Sequence, residues 1–105
     1  MLTEDATSIV ASMESLISKG WCNRRLACNA AGESCGPLSK TATSWCLIGA
    51  ALRATHDTLL EHAFAEVRDA LREELLTRHM FLMWCDDTIG FGQKEALDVL
   101  RKLRS

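Results

Sequence analysis

The chain has no apolar run long enough to cross a bilayer, which takes roughly 20 residues. It has no excess of positive charge: 12 basic against 14 acidic residues give a formal net charge of −2, and the pI is near 5.9. A general nucleic-acid or membrane-surface binder is usually basic, so nucleic acid and membranes are not expected partners. It also lacks a closely spaced cysteine pair. The five cysteines, at 22, 28, 35, 46 and 85, are separated by five, six, ten and 38 residues, whereas structural zinc sites carry pairs such as Cys-x2-Cys. The histidines at 56, 62 and 79 form no H-E-x-x-H pattern. No linker, repeat or low-complexity stretch interrupts the chain. No cofactor and no catalytic centre are therefore expected.

What remains is an ordinary globular composition. Of 105 residues, 48% are hydrophobic and 25% charged, enough for one domain over 1–105 with its own core. The opening Met1-Leu2-Thr3-Glu4-Asp5 is acidic and without the basic-then-apolar layout of a signal peptide. Free thiols in a reducing cytoplasm are the expectation, most of them filling core space.

Periodicity predicts a mainly α fold: a compact four-helix domain with a small β-hairpin inserted after the first helix. Residues 3–19 carry Ala6, Ile9, Val10, Met13, Leu16 and Ile17 on one stripe, with Thr3 or Asp5 as cap and Gly20 as stop. Residues 21–37 lose that period. Asn29-Ala30-Ala31-Gly32 suggests a turn with glycine at a bulge, joining about 24–28 to 33–36. The stretch Trp45-Cys46-Leu47-Ile48-Gly49-Ala50-Ala51-Leu52-Arg53 is almost uncharged, and is read as a buried central helix over about 40–54, capped by Ser39 or Thr41. Gly49 and Ala50 would let a neighbouring backbone approach there. A break at Thr55-His56-Asp57 and a capping box from Thr58 to Glu61 lead to a long helix reaching about His79, with Leu60, Ala63, Phe64, Val67, Leu71 and Leu75 inward. His79 to Trp84 reads as more helix or a buried extended segment, and 85–90 as a loop. Gly92 opens a last helix to about Arg104, with Ala96, Leu97, Leu100 and Leu103 inward.

Every tryptophan precedes a cysteine: Trp21-Cys22, Trp45-Cys46 and Trp84-Cys85. A thiolate metal centre from Cys22, Cys46 and Cys85 is the functional reading, but the spacing favours plain packing. Cys46 with a histidine base would need hydrogen-bond reach and a lowered thiol pKa, and a thiol in an apolar helix stays inert. Asp86 and Asp87 suit acid–base or hard-metal chemistry, but capping of a loop and helix start explains them more simply. Arg24 and Arg25, beside Trp21, suit anion or partner recognition. Phe91, between two glycines, is expected to be exposed.

The order Gly20-Trp21-Cys22, a hairpin with Gly32 in its turn, Trp45-Cys46-Leu47-Ile48-Gly49-Ala50, then Trp84-Cys85-Asp86-Asp87 before a final helix resembles a family of small bacterial and phage proteins of unknown function. The family pattern runs Gly-Trp, hairpin, Cys-x-x-Gly-Ala, Trp-Asn-Asp. The chain departs from it at Cys85, where the pattern has Asn, and at Gly92, which stands for the usual Thr cap. The resemblance implies a prokaryotic or phage intracellular protein.

The function expected is that of a small non-enzymatic interaction protein. It would bind a protein partner, or a second copy as a homodimer, through Trp21, Arg24, Arg25, Trp84, Asp86, Asp87 and Phe91. A phage or mobile-element inhibitor of a host defence complex is one form of this, resting on the resemblance alone. The alternative is a nucleotide-like small molecule in a pocket of Trp21, Trp45 and Trp84, with arginine on phosphate and Asp86 on a ribose hydroxyl. An enzyme of unknown class ranks last, for want of a nucleophile–base pair or metal motif.

Overall fold

A computed structural model describes residues 2–79 and 90–105. Its elements, in chain order, are α1 (Glu4–Lys19), β1 (Ala27–Asn29), β2 (Ser34–Cys35), β3 (Ala42–Trp45), α2 (Leu47–Thr58), a 3-10 turn (Glu61–Ala63), α3 (Phe64–Thr77) and α4 (Gln93–Arg104). The fold is mainly α, with a small antiparallel sheet after the first helix, as the periodicity predicts.

The hub is α1, not the Trp45–Arg53 stretch. It packs against α2, α3, α4 and β3, and its six stripe residues are all buried. The reason lies in the pattern. Spacings of three and four sustained over four turns give one broad apolar face, and that face is wide enough for several helices to share. Thr3 caps the helix: its Oγ1 accepts the Ala6 N–H at 3.3 Å and donates to Glu66 Oε1 at 2.7 Å. Glu66 thereby ties the start of α1 to α3. Gly20 ends the helix in extended backbone, where a Cβ would lie 2.7 Å from the Thr43 carbonyl oxygen. Close approach, not a left-handed turn, is what requires glycine here.

The sheet order is β2-β1-β3, with both pairings antiparallel. The hairpin turn forms where the sequence places it, but the first strand is only Ala27–Asn29, so residues 24–26, expected in that strand, lie in a loop instead. Gly32 sits at φ 81 and donates to the Asn29 carbonyl at 3.0 Å, while Asn29 Oδ1 accepts the N–H groups of Ala31 and Glu33, each at 3.0 Å. The third strand overturns part of the expected central helix. Ala42 to Trp45 pairs with β1 (Ala27 opposite Trp45, Cys28 opposite Ser44), so the helix starts five residues later than Ala42, at Leu47. Ser39 and Thr41 do not cap it; Cys46 does, its Sγ accepting the Gly49 N–H at 3.4 Å. Thr43 is β-branched and Ser44 prefers its own local hydrogen bonds, so neither favours helix, and β1 offers them a partner.

The expected break at Thr55–Asp57 is likewise absent, since α2 runs on to Thr58. Leu59 then turns the chain in the left-handed region at φ 60. No capping box forms at Thr58; its Oγ1 donates back to the Ala54 carbonyl at 2.8 Å. In α3, Val67, Leu71 and Leu75 are buried as expected, and Leu60 and Phe64 are half-buried. Glu74 is also buried, with Lys102 of α4 and Arg78 reaching its Oε1 at 3.0 and 3.3 Å. Ala96, Val99 and Leu100 bury α4 against α1, and the Gly92 N–H donates to Glu95 Oε1 at 2.9 Å at its start. The expectations for His79 to Trp84 and for the 85–90 loop fall, apart from His79 and Gly90, outside the described residues.

Candidate functional site

The loop between α1 and β1 carries the residues singled out by sequence, and it is held at several points. Trp21 lies beside Trp45 in a short parallel bridge: the Trp45 N–H donates to the Gly20 carbonyl and the Cys22 N–H to the Trp45 carbonyl, each at 3.2 Å. This brings Cys22 to β1, where it forms a disulfide with Cys28, Cα to Cα 6.2 Å, within the range a disulfide bridges. The expectation that the cysteines are free thiols is therefore wrong for this pair. Sequence spacing alone carried no sign of it, because the approach depends on the chain doubling back along β3. Among the described residues Cys35 and Cys46 are free.

The far end of the loop is anchored to α2. The Leu26 carbonyl accepts the Cys46 N–H at 3.4 Å and lies directly over Gly49, so close that a Cβ would overlap it. The small residue at 49 thus admits a neighbouring backbone, as the sequence suggested. Arg25 Nη1 donates to the Gly32 carbonyl at 2.9 Å, bracing the loop against the hairpin turn. Arg24 adopts φ 61, and Arg24, Arg25 and Leu26 are all exposed. Trp21 is half-buried, with its Nε1 donating to Asn23 Oδ1 at 2.7 Å.

Phe91 reverses its expectation. It is 3% exposed, with its ring centroid 6.5 Å from that of Trp21. Two glycine neighbours let the backbone turn so that the ring enters the core beside Trp21, so Phe91 supports the loop from beneath. Trp84, Asp86 and Asp87 lie outside the described residues, as does Cys85.

Trp45 is also spent internally. It is buried, its Nε1 donating to the Pro37 carbonyl at 3.2 Å, with the Arg53 guanidinium 5.6 Å from its ring centroid. Arg53 also donates to the carbonyls of Pro37 and Ser39, both at 3.1 Å, and pairs with Asp57. These contacts close the 36–41 turn over α2. Burial pushes the Cys46 thiol pKa up, against three nearby backbone N–H groups that lower it. Cys22 cannot join it as a thiolate, being bonded to Cys28. Among the described residues no three His, Cys, Asp or Glu side chains stand together as a metal site, and no helix is long and apolar enough to cross a membrane.

Among the described residues, two of the open grooves flank the helices. One, of about 660 Å³, runs between α3 and the end of α4 and is lined by Glu66, Asp69, Glu73, Glu74 and Lys102 among others. The second, of about 320 Å³, is lined by Leu38, Leu52, Thr55, His56, Glu61 and Phe64. Neither contains a tryptophan. Leu26, whose place in the sequence suggests an anchor of the hairpin against the helices, is exposed instead, as are Leu38, Leu52 and Leu59, which the sequence does not single out. The doublet Leu59-Leu60 held the one available signal, since a helix end has an inward place for only one of them.

The arrangement defines a small, mainly helical protein that presents a braced cationic loop at one end of a three-stranded sheet. The chain belongs to DUF6197, a family of unknown function, whose model matches residues 1–105. Comparison with curated proteins and with solved structures gives no significant match.

Proposed function

We propose that the protein is a small non-enzymatic interaction protein that recognises an acidic protein surface through Arg24, Arg25 and Leu26. One observation carries this reading: the loop bearing these exposed side chains is held by the Cys22–Cys28 disulfide, by the Leu26 carbonyl on α2 and by Arg25 on the hairpin turn. A loop fixed before binding loses little conformational entropy on association. The positive charge of this loop beside an exposed leucine suits carboxylates around an apolar spot. A phage or mobile-element protein that blocks a bacterial defence complex remains one concrete form of the proposal, and it rests on the sequence resemblance.

The test is affinity capture from bacterial lysate with wild type, Arg24→Glu and Arg25→Glu, each checked for an unchanged melting temperature. The wild type should retain a protein that both folded variants lose, and raised salt should release it. Equal retention by the charge-reversed variants would reject the loop as the binding surface.

A further inference from the structure

We infer that the corner between α2 and the 3-10 turn is a self-association surface, occupied by a second copy of this chain in a two-fold dimer. It lies apart from the arginine loop and does not depend on that reading.

The starting observation is Leu59. The end of α2 closes with the Leu59 N–H donating to the His56 carbonyl and the Leu60 N–H to the Thr55 carbonyl, both at 3.3 Å. This is the hydrogen-bond pattern of a Schellman motif, whose left-handed residue is ordinarily glycine or asparagine. Here it is a leucine at φ 60, a conformation disfavoured for any residue with a Cβ. Burial does not compensate it, because Leu59 is 81% exposed. Leu60 takes the inward position against the core. Within one copy, Leu59 is strained and projects an apolar side chain into water.

Near it in the chain lies an open groove. Leu38 and Leu52 are 49% and 36% exposed, and with Thr55, His56 and Phe64 they line the 320 Å³ groove. Thr55 and His56, which line the groove, are also the residues whose carbonyls close the helix end at Leu59, so the projection lies one turn from the groove along the chain. A two-fold contact requires one patch to be complementary to itself, and this patch carries both shapes. In the proposed two-fold pair each Leu59 would pack against the other copy's groove. The polar groups of the groove follow the same rule: the exposed His56 imidazole can donate to a carboxylate, and Glu61 supplies one. Each copy therefore brings one donor and one acceptor. An unrelated partner would have to supply the projection, the groove and both polar groups by itself.

Sedimentation velocity over a range of concentrations decides this, using wild type, Leu59→Gly, Leu52→Glu and Leu76→Ser. Leu76 is exposed on α3 and is not part of the groove. The wild type should dimerise by tens of micromolar. Leu59→Gly and Leu52→Glu should each raise the dissociation constant roughly tenfold or more, and Leu76→Ser should leave it unchanged. In dilute solution Leu59→Gly should melt no lower than wild type, since glycine suits the left-handed position; loss of the dimer is then not loss of fold. A wild type that stays monomeric at several hundred micromolar, or a dimer that survives Leu59→Gly or Leu52→Glu, would overturn the proposal.

Discussion

Gly49 shows how one side chain, or its absence, joins two parts of this molecule. The Leu26 carbonyl occupies the space a Cβ would need. The obstacle is backbone, held further by its bond to the Cys46 N–H, so it cannot rotate away. Gly49→Ala should destabilise the protein by about 3 kcal/mol, the upper part of the range for overpacking, although alanine is the better helix former. Urea denaturation of the variant checks this, and an unchanged midpoint would mean that the loop is not seated on α2. Glu66 is a second such residue, on the surface. Two hydrogen bonds from Thr3, backbone N–H and hydroxyl, hold its carboxyl below the usual glutamate value of 4.5. A carboxylate with a depressed folded pKa contributes stability above its unfolded pKa, and that contribution fades as pH falls through the folded value. Wild type should therefore lose stability from about pH 4.5 downward more steeply than Glu66→Gln. Melting curves stepped through that acid range compare the two slopes, and parallel slopes would remove the Thr3–Glu66 link.

At the scale of the element, legibility followed the source of each element's stability. The α1 stripe was readable residue for residue, because its period is sustained and its whole apolar face is buried. The hairpin turn was readable from Asn29 and Gly32, whose roles are local. By contrast, β3 is held by its pairing with β1, a contact distant in sequence, and its Ala42 and Trp45 also fit helical spacing. Cys46 was hidden for a related reason: a cysteine caps a helix here, where serine or aspartate is the usual signal. The Cys22–Cys28 bond depends on β3 as well, since Trp45 brings Cys22 into place. Closing the short loop between residues six apart should stabilise the oxidised protein by about 2 kcal/mol on the chain-entropy account. Urea titrations with and without a dithiol reductant measure the difference, and Cys28→Ser serves as a control that should not respond. Identical midpoints for wild type in both conditions would show that the bond adds nothing to the folded state.

Taken as a whole, the molecule is a helical frame around α1 that fixes one loop and one corner. The candidate site was legible in part. Arg24 and Arg25 are exposed as expected and Trp21 lies beside them, but Phe91 buttresses the loop from within. The bracing contacts are tertiary: a disulfide, a carbonyl seated on a helix glycine, and an arginine on a turn carbonyl. Composition and period do not register such contacts. The central claim is that the braced loop is the surface a protein partner meets. The most direct measurement places a photo-crosslinking amino acid at position 26 and, in a separate protein, at position 76, then irradiates each in bacterial lysate. The account predicts one dominant protein adduct from position 26, suppressed when Arg25→Glu is added, and no matching adduct from position 76. Equal labelling from both positions, or an adduct from 26 that is indifferent to Arg25, would contradict it.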